Sequence, residues 1–106
     1  MNVREITPAE LQQMLSTTDA VTLIDVREPQ EAAVCAIDGS TLIPLNSLPQ
    51  RLQEIPTERP VVLYCHHGMR SMHAAQFLAR NGYQAISLAG GIDRWAVEID
   101  PKMARY

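Results

Sequence analysis

The sequence predicts an α/β protein in which a parallel β-sheet is covered by helices on both faces. Two observations predict it. Short strand-like runs alternate with stretches of helical spacing, and the runs VTLID (21–25), VVLY (61–64) and AISL (85–88) lack the in–out polar alternation of a half-exposed strand. Continuous apolar strands are those of sheets buried on both sides, where helical crossovers supply the cover.

The elements follow in order. TPAE (7–10) has the form of a capping box, with Pro8 suited to the first helical position, and Leu11, Met14 and Leu15 recur at helical spacing behind it. The first strand in this reading is 21–25. Residues 28–34 read as a short helix and Leu42–Ile43 as a brief strand before Pro44. Leu48, Leu52 and Ile55 mark a helix that ends before Pro56. After the strand 61–64, residues 71–81 read as a helix stopped by Gly82, and after 85–88 the pair Gly90-Gly91 turns the chain into a helix carrying Trp95.

A chain of 106 residues corresponds to one domain, 1–106, with 46% hydrophobic and 20% charged residues, ordinary values for a globular protein. A net charge of −3 gives no reason to expect nucleic acid or an anionic membrane as partner. The first residues, MNVREITP, lack the apolar core of a signal peptide and no run is long enough to span a bilayer, so the expected location is cytoplasmic. Two cysteines, Cys35 and Cys65, fall short of a disulfide framework and are expected as free thiols.

In parallel sheets ligands bind beyond the carboxyl ends of the strands. Two polar clusters fall there, DVRE (25–28) and CHHGMRS (65–71). If the turn after 61–64 curls ahead of a helix beginning near Ser71, the amides of His66, His67, Gly68, Met69, Arg70 and Ser71 converge on the Cys65 sulfur as a nest, and the helix adds positive potential. Such a setting favours thiolate over thiol. Gly68 permits the tight curl, and Arg70, with His66 and His67, offers donors to an oxyanion. The reading therefore expects an activated cysteine open to an anion-sized pocket. A cysteine closing an apolar strand is also commonly an inert core residue, and on the residues alone that alternative stays open. Asp25 and Arg27 read as an ion pair tying loops together. Cys35, Cys65, His66, His67 and His73 show no familiar ligand spacing, and adjacent histidines do not readily share one ion, so no metal site is predicted; His73 reads as a surface or satisfied histidine.

Several segments together resemble the rhodanese homology domain in its single-domain form: LIDVRE (23–28), IPL (43–45), PVVLYC (60–65), GMRS (68–71) and LAGGIDRW (88–95). GGIDRW followed by IDP (99–101) is similar to the rhodanese domains fused to sulfur-carrier adenylyltransferases. The resemblance implies a rhodanese-like fold with five parallel strands. It implies sulfur transfer from a small anionic donor, such as thiosulfate or a persulfide, through a Cys65 persulfide to a thiol or cyanide. It calls for no metal or organic cofactor, and it admits a protein sulfur carrier or desulfurase as partner, with the chain a monomer or homodimer.

Four residues separate Cys65 from Arg70, whereas phosphatase and arsenate-reductase relatives use a Cys-x5-Arg loop, one residue longer; the shorter cradle suits a sulfane sulfur better than a phosphate. A third reading is a docking or persulfide-carrier module. The chain departs from the family's Gly-His-Ile-Pro-Gly-Ala stretch, carrying Cys35-Ala36-Ile37-Asp38-Gly39-Ser40 in its place. Cys35 is expected to pack, a disulfide with Cys65 being the alternative. Trp95 and residues 103–106 are expected to cover either the chain's own core or a partner.

Overall fold

The computed structural model describes residues 3–17 and 21–106; Met1 and Asn2, where the stretch read for a leader begins, lie outside that range. Five strands, β1 (Arg4–Ile6), β2 (Thr22–Asp25), β3 (Thr41–Leu42), β4 (Val61–Tyr64) and β5 (Ala85–Leu88), form one parallel sheet in the order β1-β5-β4-β2-β3. The helices are α1 (Pro8–Ser16), α2 (Pro29–Ala32), α3 (Met69–Arg80) and α4 (Gly91–Glu98), with a 3₁₀ segment over Leu45–Glu54. The expected α/β class and five parallel strands are what the structure shows.

The side-chain alternation of the central strand sorts the core into two layers. Val61, Leu63 and Cys65 face one side, packed with Ala74, Ala75 and Leu78 of α3 and Leu48 of the 3₁₀ segment. Val62 and Tyr64 face the other, packed with Leu11 of α1 and Ile92 and Trp95 of α4. Both faces are dry, which is why the central strands carry no polar face. Met103 packs on the α1/α4 side, so the segment after α4 covers the chain's own core.

The differences from the sequence reading have local causes. β1 escaped it because only Ile6 of the three residues is buried, too little to make a pattern. The helix expected around Leu48 to Ile55 is 3₁₀ and breaks at Arg51 (φ −118°, ψ 17°), since Pro49 has no amide for an α-helical bond. β3 lies one residue before the expected Leu42–Ile43, and α2 is shorter than 28–34. α3 begins at Met69, not near Ser71, so Met69 and Arg70 already belong to its first turn. The capping box of α1 is present: Thr7 Oγ1 accepts from the Glu10 amide at 3.1 Å, and Glu10 Oε1 from the Thr7 amide at 2.8 Å. Among the described residues no helix is long and apolar enough to cross a membrane.

Candidate active site

β2 and β4 are neighbours with Asp25 opposite Tyr64, so the two polar clusters leave the same sheet edge side by side. Cys65, the first residue beyond β4, has its side chain on the α3 side, at the head of that helix. Its sulfur accepts from the amide of Gly68 at 3.1 Å and of Ser71 at 3.4 Å, and the Ser71 hydroxyl lies 3.6 Å away. These two amides, rather than all six from His66 to Ser71, form the cradle. Gly68 supplies the turn with φ +114°, a conformation side chains resist.

The other wall of the cradle comes from α4. The amides of Ile92 and Asp93, unpaired at the start of that helix, donate to the carbonyls of Cys65 (2.9 Å) and His66 (3.1 Å). The loop's carbonyls are thus engaged on the α4 side. This approach needs Gly91: a Cβ there would stand 2.4 Å from the His66 carbonyl oxygen and 2.5 Å from that of Cys65. Below, the buried Ser71 hydroxyl donates to the Gly68 carbonyl at 3.1 Å and pairs with Ser87 Oγ at 2.8 Å, fixing the floor of the turn.

The remaining predicted residues divide. Asp25 and Arg27 form the expected ion pair, wholly buried, with Arg27 Nε and Nη2 donating to the two carboxylate oxygens at 2.9 and 2.7 Å. Burial works against the Arg27 charge, but the bonds to Asp25 and Tyr106 outweigh it and raise the guanidinium's pKa. Arg70 does not face an open oxyanion site as expected: its guanidinium makes a two-pronged bond to Glu31, at 2.7 and 2.8 Å. The Arg70 bond is the main reason the Glu31 carboxyl falls to about 2. Met69 points outward and is 75% exposed. The His66 ring is sandwiched between those of His67 and Tyr106, at centroid distances of 4.0 and 3.9 Å, while the His67 side chain lies largely in solvent.

Two expectations are corrected by this geometry. Cys65 is only 1% exposed, so the open pocket over the sulfur is closed. Beside the cysteine loop, Tyr106 bridges two segments: its ring stacks on His66 from that loop, while its hydroxyl accepts from Arg27 at 3.0 Å and donates to Glu31 at 2.9 Å. The adjacent histidines, read as poorly placed to share an ion, each bring a ring nitrogen within 4.8 Å of the other and of an Asp93 oxygen. That carboxylate already accepts from Arg105 at 2.9 Å, which lowers its pKa, so a cation there competes with a guanidinium. The site residues that sequence reasoning missed are Glu31, Ser87, Gly91 and Tyr106. Glu31 lies three residues after Glu28 in a second capping box, and Gly91 in a pair read only as a turn. Ser87 and Tyr106 carry no local signal.

The profile of the Rhodanese-like domain family matches residues 7–98. The chain belongs to that family. A protein named Sulfurtransferase from Allochromatium vinosum is 41% identical to this rhodanese-like chain over 89% of both sequences. MoeZ of Mycobacterium tuberculosis, named a "Probable adenylyltransferase/sulfurtransferase", is 40% identical over 95% of the chain; the chain spans about a quarter of that protein, 26%. Among solved structures, the Rhodanese-like Domain Protein from Staphylococcus aureus superposes with a TM-score of 0.86 at 28% identity, covering 98% of this chain and 99% of the other.

Proposed function

We propose that this rhodanese-like chain is a sulfurtransferase in which Cys65 is the nucleophile and carries the moving sulfur as a persulfide. The observation that carries the reading is the sulfur at the head of α3, with the amides of Gly68 and Ser71 aimed at it. Amide donors and a helix N-terminus hold a charged sulfur more firmly than a neutral one, and they serve a thiolate before transfer and a persulfide anion after it. The family match and the relative named Sulfurtransferase support the same class of reaction.

With thiosulfate as donor, the Cys65 thiolate attacks the outer sulfur, the S–S bond to the sulfonate breaks, and sulfite leaves with the bonding pair. The sulfur remains as Cys65–S–S⁻. A thiolate or cyanide then attacks that terminal sulfur and Cys65 leaves as thiolate, giving ping-pong kinetics. Arg70, tied to Glu31, serves to hold the first turn of α3 against α2 and so to keep the cradle curled. The Ser71–Ser87 pair braces it from below.

The test is Cys65→Ser in a thiosulfate:cyanide assay alongside a check of folding. Loss of turnover in a folded variant supports the reading; retained turnover refutes it. The relation to MoeZ favours a second use of the same persulfide, delivery to a protein acceptor in a sulfur relay. Capture of a desulfurase or sulfur-carrier enzyme, coupled with negligible turnover of small donors, would mark that use.

A further inference from the structure

His66 and His67 sit in the cysteine loop, and the fold brings Asp93 against them from the first turn of α4, where its amide donates to the His66 carbonyl at 3.1 Å. Among the described residues these three form a cluster in which one ring nitrogen of each histidine and a carboxylate oxygen lie within 4.8 Å of one another. None of the three side chains has a part in the sulfur chemistry derived above. Spacing along the chain predicted no ion because it does not show the approach of Asp93. Arg105 Nε donates to Asp93 Oδ1 at 2.9 Å, while Oδ2 faces His67 Nε2 at 3.7 Å. The guanidinium and a second cation therefore have separate oxygens of one carboxylate to use. The 3.7 Å gap is long for a hydrogen bond. It is close to the separation of about 3.4 Å that two ligands keep around a tetrahedral ion.

We propose that His66, His67 and Asp93 form a binding site for a borderline divalent cation of the Zn²⁺ type. Two imidazoles and a carboxylate are a donor set that suits such ions, whereas Mg²⁺ and Ca²⁺ favour oxygens throughout. Three protein ligands leave the fourth position of a tetrahedral site to water. Binding asks for a small rearrangement. The two histidine rings stack with their planes 25° apart, and the in-plane lone pairs of stacked rings do not converge, so one ring has to turn. His67, 68% exposed, is free to do so. His66 gives up no hydrogen bond at Nε2, which is buried without a partner among the described residues. A buried nitrogen left unpaired is a standing cost, and coordination through that nitrogen would remove it. Arg105 on Oδ1 keeps the Asp93 carboxyl charged and oriented, as outer partners of metal ligands do, while its own charge holds the affinity below that of a structural zinc site. The bound ion ties the cysteine loop to α4 through side chains, along the seam that the amides of Ile92 and Asp93 already close through the backbone. Occupation should therefore register as added stability of the folded chain.

The test is a Zn²⁺ titration of the whole chain by calorimetry, with a thermal melt of the saturated sample. Thiolates are the rival ligands, and Cys35 lines a cleft together with His66 and Asp93, so the titration is repeated on Cys35→Ser/Cys65→Ser. One Zn²⁺ per chain is expected in both, with a rise in Tm of about 4 °C or more, whereas Mg²⁺ at the same concentration leaves Tm unmoved. His67→Ala and Asp93→Asn should each weaken Zn²⁺ binding about tenfold or more, and His73→Ala, on the body of α3, should leave it unchanged. Should the double cysteine variant fail to fold, Co²⁺ on the native chain decides. A visible spectrum without an intense near-ultraviolet thiolate band supports the site, and the presence of that band marks binding at cysteine and overturns it. No Zn²⁺ uptake, uptake only where cysteines are present, an equal response to Mg²⁺, or an affinity unmoved by both His67→Ala and Asp93→Asn also overturns the proposal. The sulfur-transfer reading stands or falls separately, on the mass of Cys65 after exposure to a sulfur donor.

Discussion

β2 and β4 end at the same sheet edge, in register, and each opens into a cluster that chemistry could use. The two clusters are built on opposite plans. Beyond β2, the Arg27 guanidinium serves both Asp25 oxygens, the Cys35 carbonyl (2.7 Å), the Glu31 carbonyl (3.3 Å) and the Tyr106 hydroxyl; Asp25 also accepts from the Arg27 amide at 3.0 Å and from the Tyr64 hydroxyl at 3.3 Å. That set is saturated. A buried pair so fully bonded orders two loops and has nothing left for a substrate. Beyond β4, one sulfur is faced by two amides, donors in surplus for a neutral thiol. Surplus donors favour the arrival of negative charge. Ionic character alone would have pointed to Asp25 and Arg27; unspent hydrogen-bonding capacity points to Cys65.

The comparison breaks most visibly at the sulfur. Cys65→Ser is expected to cut sulfur transfer by about 1000-fold or more while shifting Tm by less than about 4 °C, because one buried atom changes and the cradle's amides still find an oxygen. Assay and thermal melt on the same sample check both halves. At the saturated cluster the loss should be in stability. Asp25→Ala leaves Arg27 buried without its anion and is expected to cost about 3–5 kcal/mol, read from urea unfolding. A cost below about 1 kcal/mol would mean that the cluster is less committed to scaffolding than its bonds indicate.

Much of this contrast was legible in the residues. The central strands and their cysteine could be read because burial on both faces leaves an unbroken apolar run that ends abruptly at polar residues. The capping box of α1 is local, and local rules found it. The 3₁₀ segment misled because Leu48 and Leu52 recur at α-helical spacing, while Pro49 between them decides the backbone. The surroundings of the site were beyond reach of pattern. Glu31 meets Arg70 across 39 positions, and Tyr106 meets Glu31 across 75, contacts that only the folded sheet edge brings together. Arg70 shows the consequence. Its spacing from Cys65 suggested a hand held out to an anion, yet a carboxylate distant in sequence already holds it.

Two smaller effects sharpen the comparison. Gly91→Ala forces a methyl group against the Cys65 and His66 carbonyls in a left-handed backbone (φ +62°), and is expected to cost about 1–3 kcal/mol and to lower turnover by about tenfold or more. An alanine variant with native turnover would show that α4 does not hold the cradle. The smallest effect is acid-dependent. The Glu31 carboxyl lies near 2 in the folded chain against an ordinary 4.5, so its pairing with Arg70 stabilises the fold fully above 4.5 and loses that contribution as pH falls toward 2. Glu31→Gln should therefore be less stable than the native chain at neutral pH, and the gap should close between about pH 4.5 and 2; a gap independent of pH would contradict the charge pairing.

The central claim is that the Cys65 sulfur takes up and gives away a second sulfur atom. Intact-protein mass before and after incubation with a sulfane-sulfur donor, followed by cyanide, tests it most directly. The account predicts a gain of one sulfur atom, located on Cys65 and absent in Cys65→Ser, that cyanide removes as thiocyanate. An unchanged mass with every donor, or a gain that persists in Cys65→Ser, would contradict it.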